Sequence, residues 1–142
     1  MAATPCTLAP IAIYGGHYWG RAALKYKTKG VTHFINAWNW SLQGLVAAFK
    51  YEAGFRHQLG ISLILVPLAF WFDVSAAERA ILLASLVFVY VTELLNSAVE
   101  ATVDRISTEH HELSGRAKDL GSAAVFVAMV QVPLLWAVIL LG

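Results

Sequence analysis

Apolar residues recur with a helical period over residues 33–50. They fall on one side of a helix, while polar residues such as Asn36 and Asn39 lie towards the other side. Trp38 and Trp40 belong to the residue type that favours the headgroup zone of a membrane. The pattern predicts an amphipathic helix that lies on a membrane surface, and packing against a soluble core is the weaker alternative.

Three apolar runs follow the amphipathic segment, at residues 57–72, 80–92 and 121–141. A helix needs roughly 20 mainly apolar residues to cross a bilayer. The third run meets this length alone, and the second does so if it continues through polar residues as far as Glu100. The first run is shorter than this, but a helix that begins earlier, near Tyr51, would give it the required length. The sequence therefore predicts three transmembrane helices.

A very short link, residues 73–78, joins the first two predicted spans. Ser75 and Glu78 have the spacing of a capping box, in which a serine hydroxyl and a glutamate carboxylate satisfy backbone N–H groups at a helix start. We therefore expect a turn with a new helix near residue 75, and antiparallel packing of the two spans.

The composition supports a membrane protein with one domain. The chain has 142 residues, of which 58% are hydrophobic and 13% charged, whereas a soluble domain is about 25% charged. A net charge of +1 gives the molecule no strong field, so no nucleic-acid partner is expected. The single cysteine, Cys6, excludes a disulfide within the chain.

Two segments differ in character along the chain. Residues 1–30 are predicted to be an N-terminal extension, either a poorly ordered tail or a basic segment attracted to anionic lipid. Residues 31–142 are predicted to form the membrane-embedded domain.

Nine of the ten Lys and Arg residues precede the first span or lie between the second and third spans, and only Arg79 lies at the opposite end. This asymmetry predicts a cytoplasmic N-terminus and a cytoplasmic loop over residues 104–119.

The second span carries a stripe of polar residues, Glu93, Asn96, Glu100 and Asp104, within an arc of about 80°. Ionisable groups inside membrane segments are costly and usually functional, although a stripe that joins helices is the alternative. The carboxylates would repel each other, so we expect a hard divalent cation bound by oxygen ligands. Glu52 is expected at the same interface, either within this cluster or as a solvated glutamate paired with a nearby cation.

The predicted loop, residues 105–119, contains three cations, His110 and His111, and hydroxyl groups. This mixture suits a phosphate ligand, and a plain polar connector is the alternative. The chain contains no phosphate-binding loop of the GxxxxGK[ST] type, no protein-kinase motif set and no HExxH zinc motif.

At these residues the chain resembles the bacterial diacylglycerol kinase family. The resemblance covers about residues 33–142 and is carried by EAGFR at 52–56, ELLNSAVE at 93–100, Asp104-Arg105 and ELSGRAKDLGSAA at 112–124. It implies an all-α homotrimer in the bacterial inner membrane, with three transmembrane helices and one amphipathic surface helix in each subunit. It implies active sites shared between subunits and transfer of phosphate from MgATP to diacylglycerol, giving phosphatidic acid.

The resemblance also implies roles for single residues. Glu93 would be the general base, and Glu52 and Glu100 would hold Mg²⁺. Nucleotide contacts are expected from His33, Trp40, Glu52, Glu100, Glu109, His110, His111, Lys118 and Asp119. Lipid contacts are expected from Arg56, Trp71, Arg79, Glu93, Asn96 and Ser122. The chain departs from the family at His33, where an arginine is usual, and at Trp40, where a tyrosine is usual.

Three other functions remain open from the sequence. The same scaffold serves undecaprenol kinases, and His57 is mildly similar to that branch. A small transporter or proton-conducting subunit also uses intramembrane carboxylates, but it would distribute them along the membrane depth. A structural membrane adaptor would show no ATP turnover when lipid is added.

Overall fold

The computed structural model describes residues 30–107 and 109–142, and within these ranges the chain forms four helices and no strand. The helices are α1 (Val31–Tyr51), α2 (Ala53–Trp71), α3 (Ala76–Ile106) and α4 (Glu112–Leu141). The all-α prediction is therefore confirmed. The predicted extension lies outside the described residues except for Gly30.

Helices α2, α3 and α4 are each long and apolar enough to cross a membrane, which confirms the three predicted spans. Helix α3 has 31 residues and is about 46 Å long at 1.5 Å per residue. This exceeds the roughly 30 Å thickness of a hydrocarbon core. Helix α3 is therefore longer than an upright crossing of the apolar layer requires.

The described chain divides into two compact units between Ser41 and Leu42, so α1 contributes residues to both. Within the first unit, the Ser41 hydroxyl donates a hydrogen bond to the carbonyl of Ala37 (3.0 Å). The rings of His33 and Trp40 meet edge to face, with centroids 6.4 Å apart. Helices α2, α3 and α4 all belong to the second unit.

The predicted capping box starts α3. The Ser75 hydroxyl accepts a hydrogen bond from the Glu78 N–H (3.3 Å), and the Ser75 N–H donates to the Glu78 carboxylate (2.8 Å). The Arg79 guanidinium donates to the carbonyl oxygens of Ala69 (3.0 Å), Phe72 (3.3 Å) and Val74 (3.3 Å). These bonds pair the guanidinium with carbonyl groups at the end of α2 and in the link that follows it.

An apolar core lies next to this turn. Ala69, Leu82, Leu86 and Trp136 form a buried cluster that joins α2, α3 and α4. The Trp136 indole donates to the Ser85 hydroxyl (3.4 Å), which donates to the Leu82 carbonyl (2.6 Å). This end of the bundle is thus fixed by both apolar contact and paired polar groups.

The predicted loop over residues 104–119 is much too long. Helix α3 continues to Ile106 and α4 begins at Glu112, so Arg116, Lys118 and Asp119 are helical. The imidazole Nδ1 of His111 accepts a hydrogen bond from the Leu113 N–H (3.2 Å) and so caps α4. The polar composition of the segment had indicated a connector, but its early residues form the first turns of a helix.

Candidate active site

Glu52 lies at a one-residue break between α1 and α2, with extended backbone angles (φ −100°, ψ 113°). Its N–H donates to the Ala48 carbonyl (2.9 Å), and its own carbonyl accepts from the Arg56 N–H (3.4 Å). The Arg56 guanidinium donates instead to the carbonyl oxygens of Phe49 (3.1 Å) and Lys50 (3.2 Å). Within the described ranges, Glu52 forms no ion pair with either neighbouring cation.

The pKa of the Glu52 carboxyl is raised above its ordinary value. Partial burial is the largest cause, and the negative charges of Glu100 and Glu93 add to it, while Arg56 opposes the shift. Glu52 thus lies within electrostatic range of Glu100 and Glu93, which is the first of the two environments that the sequence left open for it. Mutual repulsion of the three carboxylates favours a bound proton or a bound cation.

Glu93 is buried between α2 and α3, with 8% of its surface exposed. The Gln58 side-chain amide donates a hydrogen bond to Glu93 Oε2 (3.1 Å). The other carboxylate oxygen, Oε1, occupies the space that a side chain at Gly54 would fill. The carboxylate is thus held between an amide donor and the bare backbone of α2.

Gln58 was not predicted as a site residue. The Tyr90 hydroxyl donates to the Gln58 carbonyl (3.3 Å), and the Tyr90 ring contacts Phe55 with centroids 5.6 Å apart. The sequence shows an amide, Gln58, within the apolar run at residues 57–72. It does not show which residue of another helix this amide contacts.

Asn96 lies one turn further along α3 and connects the cluster to α4. Its amide nitrogen donates to Glu100 Oε1 (2.8 Å). Its buried oxygen Oδ1 has no hydrogen-bond partner within the described ranges. That oxygen occupies the space where a Cβ on Gly121 would lie, so the glycine allows α3 and α4 to approach closely.

Lys118 supplies a cation at this end of the bundle. Its ammonium forms an ion pair with Asp104 (2.5 Å), and it lies within electrostatic range of Glu100. The two side chains of the pair remain 38% and 63% exposed, so a phosphate group has access to the lysine. Asp119 and Ser122 are exposed on the adjoining turns of α4.

The remaining predicted residues fall into separate groups. Glu109 and His110 are exposed in the connector, where the Glu109 N–H donates to the Ser107 hydroxyl (2.9 Å). Trp71 and Arg79 lie at the opposite end of the spanning helices, and Arg79 is about 21 Å from Glu93 along α3. His33 and Trp40 belong to the other compact unit. Among the described residues of the second unit, the acidic cluster of Glu52, Glu93 and Glu100 forms no hydrogen bond or ion pair with Glu109, His110, Trp71 or Arg79. The roles of all these predicted residues, including His33 and Trp40, stay predictions.

The acidic cluster suits Mg²⁺ only as a site that the protein shares with its substrate. In the part of the chain that the structure describes, no three His, Cys, Asp or Glu side chains converge closely enough to form a metal site by themselves. Mg²⁺ usually takes only one or two carboxylates and completes its shell with water and substrate phosphates. Neighbouring Glu52 and Glu100, with a lysine nearby, fit such a shared site.

The fold and this cluster define a small helical membrane protein with a buried carboxylate and a cation-flanked acidic site at one end of its spanning helices. The family model described as prokaryotic diacylglycerol kinase matches residues 39–140, and the chain belongs to that family.

Three relatives named diacylglycerol kinase share about half of their aligned residues with this chain. The relative from Haemophilus influenzae is 53% identical and covers 81% of this chain and 98% of its own length. Those from Pseudomonas aeruginosa and Escherichia coli K12 are 50% and 48% identical. Each of these two alignments covers 80% of this chain. They cover 92% of the Pseudomonas aeruginosa protein and 93% of the Escherichia coli K12 protein.

Proposed function

We propose that this chain transfers the γ-phosphate of MgATP to the hydroxyl of 1,2-diacylglycerol, giving phosphatidic acid. The protein is a kinase of the prokaryotic diacylglycerol kinase family. The relatives that carry the name diacylglycerol kinase align over about four fifths of the chain, including the whole acidic cluster.

The observation that carries the proposal is the buried Glu93 carboxylate beside Glu52 and Glu100. Glu93 lies about 26 Å from the start of α3, near the far edge of a hydrocarbon layer of roughly 30 Å. Glu100 lies about 36 Å from that start, beyond the apolar layer. A lipid hydroxyl at the headgroup boundary thus meets Glu93, while a water-soluble nucleotide meets Glu100.

In the proposed reaction, Glu93 accepts the proton of the diacylglycerol hydroxyl. The lipid oxygen then forms a bond to the γ-phosphorus, and the bond from that phosphorus to the bridging oxygen of ADP breaks. Lys118 adds positive charge beside the phosphates. Glu52 and Glu100 would hold Mg²⁺, which would neutralise the charge that phosphoryl transfer concentrates there.

The proposal also covers the membrane orientation and the oligomeric state of the protein. The distribution of Lys and Arg supports a cytoplasmic N-terminus in the bacterial inner membrane, which places the acidic cluster on the side that contains ATP. Large apolar side chains are exposed on all three spanning helices, so lipid or other copies of the chain must cover them. We propose a homotrimer in which neighbouring subunits complete each site.

The direct test is transfer of ³²P from [γ-³²P]ATP to dioleoylglycerol by purified protein in mixed micelles. We expect labelled phosphatidic acid that requires Mg²⁺, and much slower labelling of undecaprenol. Faster labelling of undecaprenol would assign the chain to polyprenol phosphorylation. Absence of labelling with either lipid would contradict the kinase proposal.

A further inference from the structure

Gln58 is a buried amide in surroundings that otherwise favour apolar residues. It lines a groove of about 580 Å³ between α2, α3 and α4, whose other walls include Leu65, Leu86 and Val89. Its oxygen, Oε1, is buried and has no hydrogen-bond partner within the described ranges. A buried amide oxygen without a donor destabilises a fold. Stability alone would therefore favour an apolar side chain at this position.

The amide nitrogen of Gln58 accounts for the presence of a polar side chain here. It donates a hydrogen bond to the Glu93 carboxylate, at Oε2 (3.1 Å). The amide orientation is set by this contact, since the opposite orientation would bring two oxygens together. The Tyr90 hydroxyl fixes the backbone of the same residue through the Gln58 carbonyl.

The two sides of the Glu93 carboxylate are held differently. Oε2 is occupied by the Gln58 donor, while Oε1 lies against the bare backbone at Gly54. A glutamate side chain has several rotamers, and a misplaced catalytic group can lose much of its effect. The Gln58 hydrogen bond selects one orientation among them.

We propose that Gln58 is a positioning residue for phosphoryl transfer, because its amide N–H holds the Glu93 carboxylate in the orientation that accepts the lipid proton. The inference rests on the proposed function and adds a residue that neither the sequence patterns nor the family resemblance had assigned. Gln58 acts through Glu93, so its loss should slow the chemical step and leave substrate binding intact.

The test compares the wild type with Gln58→Met, which keeps the side-chain length and removes the donor. We expect kcat to fall at least tenfold, while the KM values for MgATP and dioleoylglycerol change less than threefold. Gln58→His, which keeps an N–H donor at a similar reach from the backbone, should restore kcat to within threefold of the wild type. Gln131→Met, which removes an amide elsewhere in the spanning helices, should leave kcat unchanged.

Thermal unfolding in detergent accompanies each assay, so that a folding defect is recognised. If Gln58→Met does not fold, the folded Gln58→His variant decides, and a kcat reduced tenfold or more would overturn the proposal. A Gln58→Met kcat within twofold of the wild type would also overturn it, as would a loss confined to the lipid KM. A wild type that labels no lipid would instead refute the proposed function.

Discussion

The two ends of the spanning helices are built in opposite ways. The turn end comprises the capping box at Ser75, the Arg79 guanidinium and the core around Leu82. Its polar groups are paired, since Arg79 alone donates to three carbonyl oxygens. This end contributes chain reversal and apolar burial, both of which stabilise the fold.

The acidic end comprises Glu52, Glu93, Asn96 and Glu100, together with Gln58. It contains both of the buried side-chain oxygens that lack partners within the described ranges, Gln58 Oε1 and Asn96 Oδ1. Partial burial, together with the like charges of Glu100 and Glu93, raises the pKa of Glu52 at this end. Such features cost stability and persist where function requires them, so the comparison supports the proposal that the acidic end is the functional one.

The largest expected effect of a single substitution is on catalysis at the acidic end. Glu93→Gln should lower kcat about 1,000-fold, within the range for loss of a general base, while nucleotide binding is retained. Glu78→Gln is the matched control, because it neutralises a carboxylate of the turn end and should leave kcat unchanged. Steady-state phosphate transfer and equilibrium nucleotide binding check both variants. Near-normal kcat in Glu93→Gln would remove this residue from the role of base.

The largest expected effect on stability is at the turn end. Leu82 is fully buried, and Leu82→Ala should lower the free energy of unfolding by about 2–5 kcal/mol. Leu63 is 79% exposed, so Leu63→Ala serves as the control and should have a much smaller effect. Unfolding in detergent micelles measures both, and kcat per folded molecule should be preserved. Equal destabilisation by the two variants would contradict the contribution of the buried core around Leu82.

A smaller effect is expected on metal dependence. Glu100→Gln should raise the Mg²⁺ concentration for half-maximal activity at least about tenfold, since one anionic oxygen ligand is lost. Glu112→Gln, which neutralises an exposed carboxylate in the first turn of α4, is the control. A magnesium titration at saturating ATP measures the change. An unaltered titration curve for Glu100→Gln would exclude this carboxylate as a ligand.

The smallest effect is expected at the helix cap. Ser75→Ala should cost about 1 kcal/mol of stability, because the side-chain bond to the Glu78 N–H is lost. Ser75→Asp retains a capping oxygen and should recover most of that stability. Unfolding curves measure the difference, and a Ser75→Ala protein with altered kcat but unchanged stability would contradict the assignment of the turn end.

Periodicity predicted much of this structure. The spacing of Glu93, Asn96 and Glu100 placed them on one helical face, and the polar junction at Glu52 placed this residue at the same end. The contacts of Gln58, Gly54 and Gly121 were not predictable in the same way, because they depend on the register between neighbouring helices. The polar residues after Glu112 were misread as a loop, since their composition conceals the helix that His111 caps.

We expect that partial burial of the Glu52 carboxyl, with repulsion from Glu100 and Glu93, destabilises the free protein, and that a magnesium nucleotide relieves this cost. A carboxyl whose pKa is raised in the folded state destabilises the fold when it is ionised, and this cost disappears as the pH falls through that pKa. Replacing Glu52 with a neutral residue should remove the same cost at neutral pH and also remove the proposed metal ligand.

The most direct measurement is thermal unfolding of the wild type and Glu52→Gln in detergent, with and without Mg²⁺ and a non-hydrolysable ATP analogue. We predict that Glu52→Gln has the higher Tm without nucleotide, and that the magnesium nucleotide raises the Tm of the wild type much more than that of the variant. A lower Tm for the free variant would contradict destabilisation by the Glu52 carboxylate. Equal stabilisation of both proteins by the nucleotide would contradict the role of Glu52 as a metal ligand.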